Sequence, residues 1–223
     1  MRYLVLLLAV PFAVKAQYKY GIKPVTFSGY LRQVAENPDK ELVNLGQFIP
    51  GVVLDIRYAT TRNFTGEKIY NLPRAYARRP VAEALKRAQQ EFALHGAGIK
   101  IYDAYRPYSA TVKFYEIYRD TTYVASPYKG SRHNRGCAVD ITLIDLTTGS
   151  ELKMPTAYDT FTKQAWAYAP VTDPEAGRNR KLLIEVMHRH GFRVNASEWW
   201  HFDFAGWQNF EVLDIPFEEL EEK

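Results

Sequence analysis

Residues 131–140 read SRHNRGCAVD and run directly into ITLID at residues 141–145. His133 and Asp140 stand on either side of Gly136, and a β-prone run follows. A polar loop that turns at a glycine and enters a buried strand can aim an imidazole and a carboxylate at one point. Zinc accepts this mixture of nitrogen and oxygen donors, and a catalytic site of three protein ligands keeps a fourth position open for water. The stretch therefore asks for a third ligand and a base. Glu198-Trp-Trp-His201 offers both, an imidazole at His201 and a carboxylate at Glu198. The expected centre is a zinc site at strand ends, one Zn2+ per chain, made by His133, Asp140 and His201 and served by Glu198.

Upstream, residues 1–16 (MRYLVLLLAVPFAVKA) open with a cation at Arg2, continue as an apolar run and end in small residues at Val14 and Ala16. This is the pattern of a secretory signal peptide cleaved after Ala16. The run is shorter than the roughly 20 residues that span a bilayer. No cysteine stands at the cleavage point, and no later stretch is apolar enough to be transmembrane. The expectation is an exported protein, periplasmic or secreted, with no stable membrane anchor after cleavage. Losing Arg2 and Lys15 lowers the formal charge from +4 to about +2, too weak a bias to argue for nucleic acid or anionic lipid. No protein partner is implied. Cys137 is the single cysteine and can form no intramolecular disulfide, so packing or metal must stabilise the fold. Its spacing from Asp140 along a strand puts it on the opposite face, as a small core residue.

The rest of the chain reads as one domain. Residues 17–40 show no clear period and are expected to wrap as an N-terminal arm around a catalytic domain at residues 41–223. Residues 44–58 end in a strand-like alternation, and residues 59–70 form a loop rich in Thr, Asn and Gly. Pro80 opens a helix with Val81, Leu85, Ala88 and Phe92 inward, and Gly96 closes it. Residues 98–105 form a strand broken by Arg106-Pro107, after which Ser109 caps a helix through Arg119. Residues 137–144 are the next strand. Residues 154–173 are long, aromatic and irregular, a length at which loops are often functional. A helix over residues 178–190 ends at Gly191, and strands follow at residues 192–194 and 200–204. His95, His188 and His190 fall at the ends of amphipathic helices and read as structural. Neighbouring strands come from distant segments, so the fold class is α+β: a single compact domain, a mainly antiparallel sheet with helices packed against it.

Amide hydrolysis at such a site needs a base that takes a proton from water and returns it to the leaving amine, the role open to Glu198. It also needs a donor for the oxyanion. Arg106, fixed before Pro107 and permanently charged, is the candidate. Each piece has an ordinary reading too: His and Asp at this spacing, Glu-x-x-His and Arg-Pro all occur by chance, and Trp199 and Trp200 could be plain core aromatics. From spacing alone, a metal hydrolase and a coincidence both stand.

The pairing of SRHNRGCAVD with EWWHF resembles the zinc peptidases of the D-alanyl-D-alanine dipeptidase and carboxypeptidase group, whose pattern is Ser-x-His, six residues, Asp, and later Glu-x-x-His. The closer similarity is to the D-alanyl-D-alanine dipeptidases, over about residues 53–204. It takes in DIRYATTRNFTG at residues 55–66, YDAYRP at residues 102–107 and MPTAYDTF at residues 154–161. The resemblance implies a small α+β fold, His133, Asp140 and His201 as zinc ligands, Glu198 as general base and Arg106 as oxyanion stabiliser. It places Ser131 and Asp159 against the substrate's termini, and implies a D,D-dipeptide as substrate. The alternatives in view are a D,D- or L,D-carboxypeptidase or endopeptidase on longer peptidoglycan stem peptides, and a non-catalytic zinc-stabilised binding protein. The loop between Tyr118 and Ser131 is shorter than in the vancomycin-resistance member of the group, and the leader points outside the cytoplasm. The shorter loop bears on access to the pocket, and the leader favours turnover or salvage of cell-wall dipeptides over resistance.

Overall fold

The structure is a computed structural model that describes residues 19–221. The expected signal peptide lies outside the described residues. Along the chain, α1 (Phe27–Glu36) leads through β1 (Leu42–Asn44), α2 (Leu45–Phe48) and β2 (Val53–Leu54) to β3 (Tyr76–Arg78) and α3 (Arg79–Ala93). Next come β4 (Ala97–Asp103), α4 (Tyr108–Ile117), β5 (Ala138–Asp145) and α5 (Pro174–Arg189). The hairpin β6 (Phe192–Asn195) and β7 (Glu198–Phe204) and the short α6 (Phe217–Glu221) complete it.

Five strands form one sheet in the order β2-β4-β5-β7-β6. Within this sheet the short β2–β4 pairing is parallel, and β4–β5, β5–β7 and β6–β7 are antiparallel. The α+β architecture is the one the pattern of elements led to expect. Strand alternation divides β5 into an apolar face, Val139, Ile141 and Leu143, and a polar face, Asp140 and Thr142, all of them buried. The apolar face, with Ile99 and Ile101 of β4, packs under α3 and α5 through Leu85, Phe92, Leu183 and Met187. Each such side chain contributes roughly 1.5–3 kcal/mol by leaving water. That leaves the polar face of the sheet to carry the chemistry. Cys137 is buried with the core, and its thiol is pushed up to about 12 by burial.

Several local expectations shift. The alternation over residues 44–58 yields sheet only at Val53–Leu54, and Arg57–Ala59 closes into a 3-10 turn. Ser109 does not cap α4, which starts at Tyr108 directly after Pro107; the Ser109 backbone N–H donates to Asp214 instead, at 2.9 Å. Helix α5 begins at Pro174, earlier than Arg178, because the Asp173 side chain accepts from the N–H groups of Glu175 and Ala176. Residues 17–40, read without a period, contain α1.

Candidate metal centre and surrounding cavity

Two register shifts bracket the polar face. One lies between Ile101 and Asp103 in the β4–β5 pair, the other between Val194 and Asn195 in the β6–β7 pair. Bulges re-aim side chains, and here they matter because Asp140 sits directly opposite His201. Simple alternation would send Glu198 and His201 to opposite faces. With Asn195 paired to Glu198, both instead line one cavity.

His133 arrives from the loop before β5, at the start of a 3-10 turn that Gly136 ends at φ +67. A side chain there would press on Leu42 and the Arg78 backbone, so the turn requires glycine. The His133 Nδ1 faces the Ala104 carbonyl at 2.7 Å. A carbonyl can only accept, so Nδ1 carries the proton and Nε2 presents a lone pair. His201 Nε2 faces Asp203 Oδ1 at 3.0 Å, which by the same logic leaves Nδ1 as the lone pair. Those two nitrogens are 3.1 Å apart, and Asp140 Oδ1 lies 3.0 Å from His201 Nδ1 and 3.4 Å from His133 Nε2. Two lone pairs and a carboxylate oxygen aimed at one point call for positive charge there, a proton or a metal ion. A tetrahedral ion with bonds of about 2.0–2.1 Å would hold its ligands about 3.3 Å apart, close to these separations. The donor set fits a metal ion, and the three residues form the candidate triad among the described residues.

The electrostatics show the same demand for positive charge, which a proton on His201 meets when no metal does. Burial alone would raise the Asp140 carboxyl, but His133 and His201 hold it well below the usual carboxylate range. Burial opposes a charged His201, yet the Asp203 and Asp140 carboxylates outweigh it and raise the imidazole well above its ordinary value. The second Asp140 oxygen accepts from the Tyr158 hydroxyl at 2.9 Å.

Every residue expected at the site lines one cavity of about 220 Å³: Arg106, Ser131, His133, Asp140, Asp159, Glu198 and His201. Glu198 is buried, with Oε2 3.0 Å from the donating Asn195 amide and 3.8 Å from His201 Nδ1. Burial, with the Asp140 charge, lifts its carboxyl to about 7 against the opposing charges of His201 and Arg106. Arg106 is also buried; burial works against its charge, but Asp103, Tyr70, Tyr58 and Asp140 together more than restore it. Ser131 accepts from the His133 N–H at 3.2 Å, so its hydroxyl fixes the ligand loop as well as facing the cavity. Asp159 has φ +58, the single non-glycine residue in the left-handed region among those described. The Tyr58 hydroxyl reaches both its oxygens, at 3.2 and 3.3 Å. Burial, then the Asp140 and Glu198 charges, push the Asp159 carboxyl well up.

Sequence reading missed the partners of these groups: Asp103, Tyr158, Asn195 and Asp203. Asp203 was within reach, since it lies two residues beyond His201 on the same strand face. The others depend on the two register shifts and on how residues 154–161 fold over the sheet, which no local pattern signals.

The family model for D-ala-D-ala dipeptidase matches residues 38–219. The D-alanyl-D-alanine dipeptidase of Escherichia coli (strain K12) is 36% identical over 177 residues, covering 79% of this chain and 91% of its own. That of Enterococcus faecalis (strain ATCC 700802 / V583) is 30% identical over 193 residues, covering 78% of this chain and 92% of its own. Among solved structures, VanYB in complex with D-alanine-D-alanine shares 15% identity at a TM-score of 0.41, over 60% of this chain and 75% of that one. The LdcB LD-carboxypeptidase shares 21% identity at a TM-score of 0.39, over 80% of both chains. With the family model spanning most of its length and the dipeptidase relatives covered almost end to end, this chain belongs to the D-ala-D-ala dipeptidase family of metallopeptidases.

Proposed function

We propose that this protein hydrolyses the dipeptide D-alanyl-D-alanine to two molecules of free D-alanine, using one zinc ion held by His133, Asp140 and His201. The observation that carries the reading is the convergence of those three donor atoms beside a buried carboxylate, Glu198, in a chain of this family. Zinc bound there supplies Lewis acidity, which lowers the pKa of water and polarises a carbonyl. Glu198, a buried carboxylate 3.8 Å from His201, is placed to take a proton from the attacking water and hand it to the leaving amine. Arg106 faces the charge that grows on the carbonyl oxygen, its guanidinium held in place before the reaction starts. Ser131 and Asp159 contact the ends of the dipeptide. We place the mature enzyme outside the cytoplasm, after cleavage at Ala16, in turnover of cell-wall peptides; no helix of the described residues is long and apolar enough to cross a membrane.

The test is release of D-alanine from D-Ala-D-Ala by the purified mature chain, with chelator and with zinc restored. Metal-dependent release is the expected result. Absence of release with zinc bound one to one would overturn the dipeptidase reading.

A further inference from the structure

Arg132 stands between two site residues in sequence, Ser131 and His133, and lines the same cavity. Its side chain is 47% exposed, against 9% for Arg106. The Arg132 guanidinium rests over the Trp207 ring, 4.8 Å from its centre. Its nearest carboxylate contact is Asp203, Nε to Oδ2 at 3.6 Å, too long for a hydrogen bond. Its Nη groups make no hydrogen bond to any described residue. Arg106 is differently engaged. Its Nε and Nη2 both donate to Asp103, and the rings of Tyr58 and Phe114 enclose it.

Side-chain contacts fix where Arg132 lies relative to the triad. From Arg132 the chain of neighbours runs to Asp203, then His201 at 3.0 Å, then Asp140 at 3.0 Å. Beyond Asp140 it runs to Tyr158 at 2.9 Å, to Tyr58 at 3.4 Å and to Asp159 at 3.2 Å. Along that path of contacts the ligand residues His201 and Asp140 come between the Arg132 guanidinium and the Asp159 carboxyl. A dipeptide carries its two charges at its two ends. Carboxyl groups of Asp140, Asp159, Glu198 and Asp203 line the cavity, so an entering carboxylate is favoured only where a cation offsets them. Arg132 is the more exposed of the two guanidiniums lining the cavity, and a guanidinium fork matches a carboxylate in shape.

We propose that Arg132 binds the free C-terminal carboxylate of the substrate and so selects peptides that end one residue beyond the scissile bond. The assignment rests on the dipeptidase reading above and names the group that fixes the C-terminal end of its substrate. Arg132→Gln tests it, assayed with D-Ala-D-Ala and with its C-terminal amide, which keeps the shape and loses the charge. The amide is followed as a competitor of the free dipeptide, so slow cleavage does not hide its binding. The expected result is a fall in kcat/KM for D-Ala-D-Ala of roughly 10- to 100-fold, chiefly through KM, the range of one charge-assisted hydrogen bond. The inhibition constant of the amide should move by less than about threefold, a neutral contact at most, and bound metal should be unchanged. Equal weakening of both ligands, or loss of metal, would mean that Arg132 acts through Asp203 and His201, and overturns the assignment. No change with either ligand overturns it as well. If the wild type itself releases no D-alanine, the dipeptidase reading fails and this assignment falls with it.

Discussion

Arg106 donates two hydrogen bonds to a single oxygen of Asp103, from Nε at 3.0 Å and from Nη2 at 2.7 Å. The other Asp103 oxygen accepts from Tyr70 at 3.0 Å. Aromatic rings close on the guanidinium at 5.4 and 4.7 Å. A side chain held this way has already lost its rotamer freedom in folding, and its charge points at the cavity without reorganisation. Asp103 is therefore the group that turns a flexible arginine into a fixed dipole at the site.

Asp103→Asn should expose that dependence. The substitution leaves Arg106 buried, with Asp140 as its nearest remaining carboxylate at 3.9 Å. Breaking a buried pair by removing one charge costs about 3–5 kcal/mol, readable as a lower urea midpoint. Turnover should fall by roughly 10²-fold, the scale of one lost transition-state donor, while metal content holds. Arg106→Lys should also be slow, because a single ammonium cannot serve Asp103 and the cavity together. Wild-type kcat in Arg106→Lys would remove the fork geometry from the explanation.

Asp203 acts on the other side of the centre. By accepting from His201 Nε2 at 3.0 Å it fixes the tautomer that turns Nδ1 toward Asp140. Asp203→Ala should weaken metal binding by about 10–100-fold. Titration against a chelating dye measures this directly. Unchanged affinity would assign the orientation of His201 to packing alone.

How much of this was legible in the sequence follows from which forces act locally. His133, Asp140, Glu198 and His201 could be read because each sits in or beside a strand with a strong alternating or glycine-marked signature, and strand ends gather side chains. The face of β5 that carries Asp140 was predictable from the apolar run Val139, Ile141, Leu143. The capping of α5 by Asp173 was present as Asp-Pro-Glu but was masked by the aromatic stretch around it. Asn195, Asp103 and Tyr158 were not legible for a physical reason. Their positions depend on register shifts between strands far apart in sequence and on a left-handed turn at Asp159, and these arise from tertiary pairing.

Metal removal should destabilise the fold as well as stop turnover. The three donors meet only in the folded chain, since they come from the loop before β5, from β5 itself and from β7. An ion that binds only the native state stabilises it by about 4 kcal/mol when present at 1,000 times its Kd. For a domain of this size each kcal/mol moves Tm by roughly 2–4 °C. Chelation should therefore lower Tm by about 10 °C, and zinc should restore it. A Tm indifferent to chelator would show that the triad holds no ion in the isolated protein.

Glu198 carries a stability cost that the metal-free protein should reveal. Its folded-state carboxyl lies at about 7, against an ordinary value of 4.5, chiefly because it is buried. Between those two pH values the native state binds more protons than the unfolded chain, so stability falls as pH rises. Below the lower value both states are protonated and the penalty is absent; above the upper one it is complete, on the order of 3 kcal/mol. Glu198→Gln keeps the shape and removes the titration. The metal-free variant should melt above the metal-free wild type at pH 8 and level with it near pH 4, while the metal-loaded variant loses about 10²–10⁴-fold in kcat. A stability gain of the same size at both pH values would trace the effect to packing instead of charge. The predicted pairing of gained stability with lost turnover is what separates a base held in an unfavourable setting from a carboxylate that merely lines a cavity.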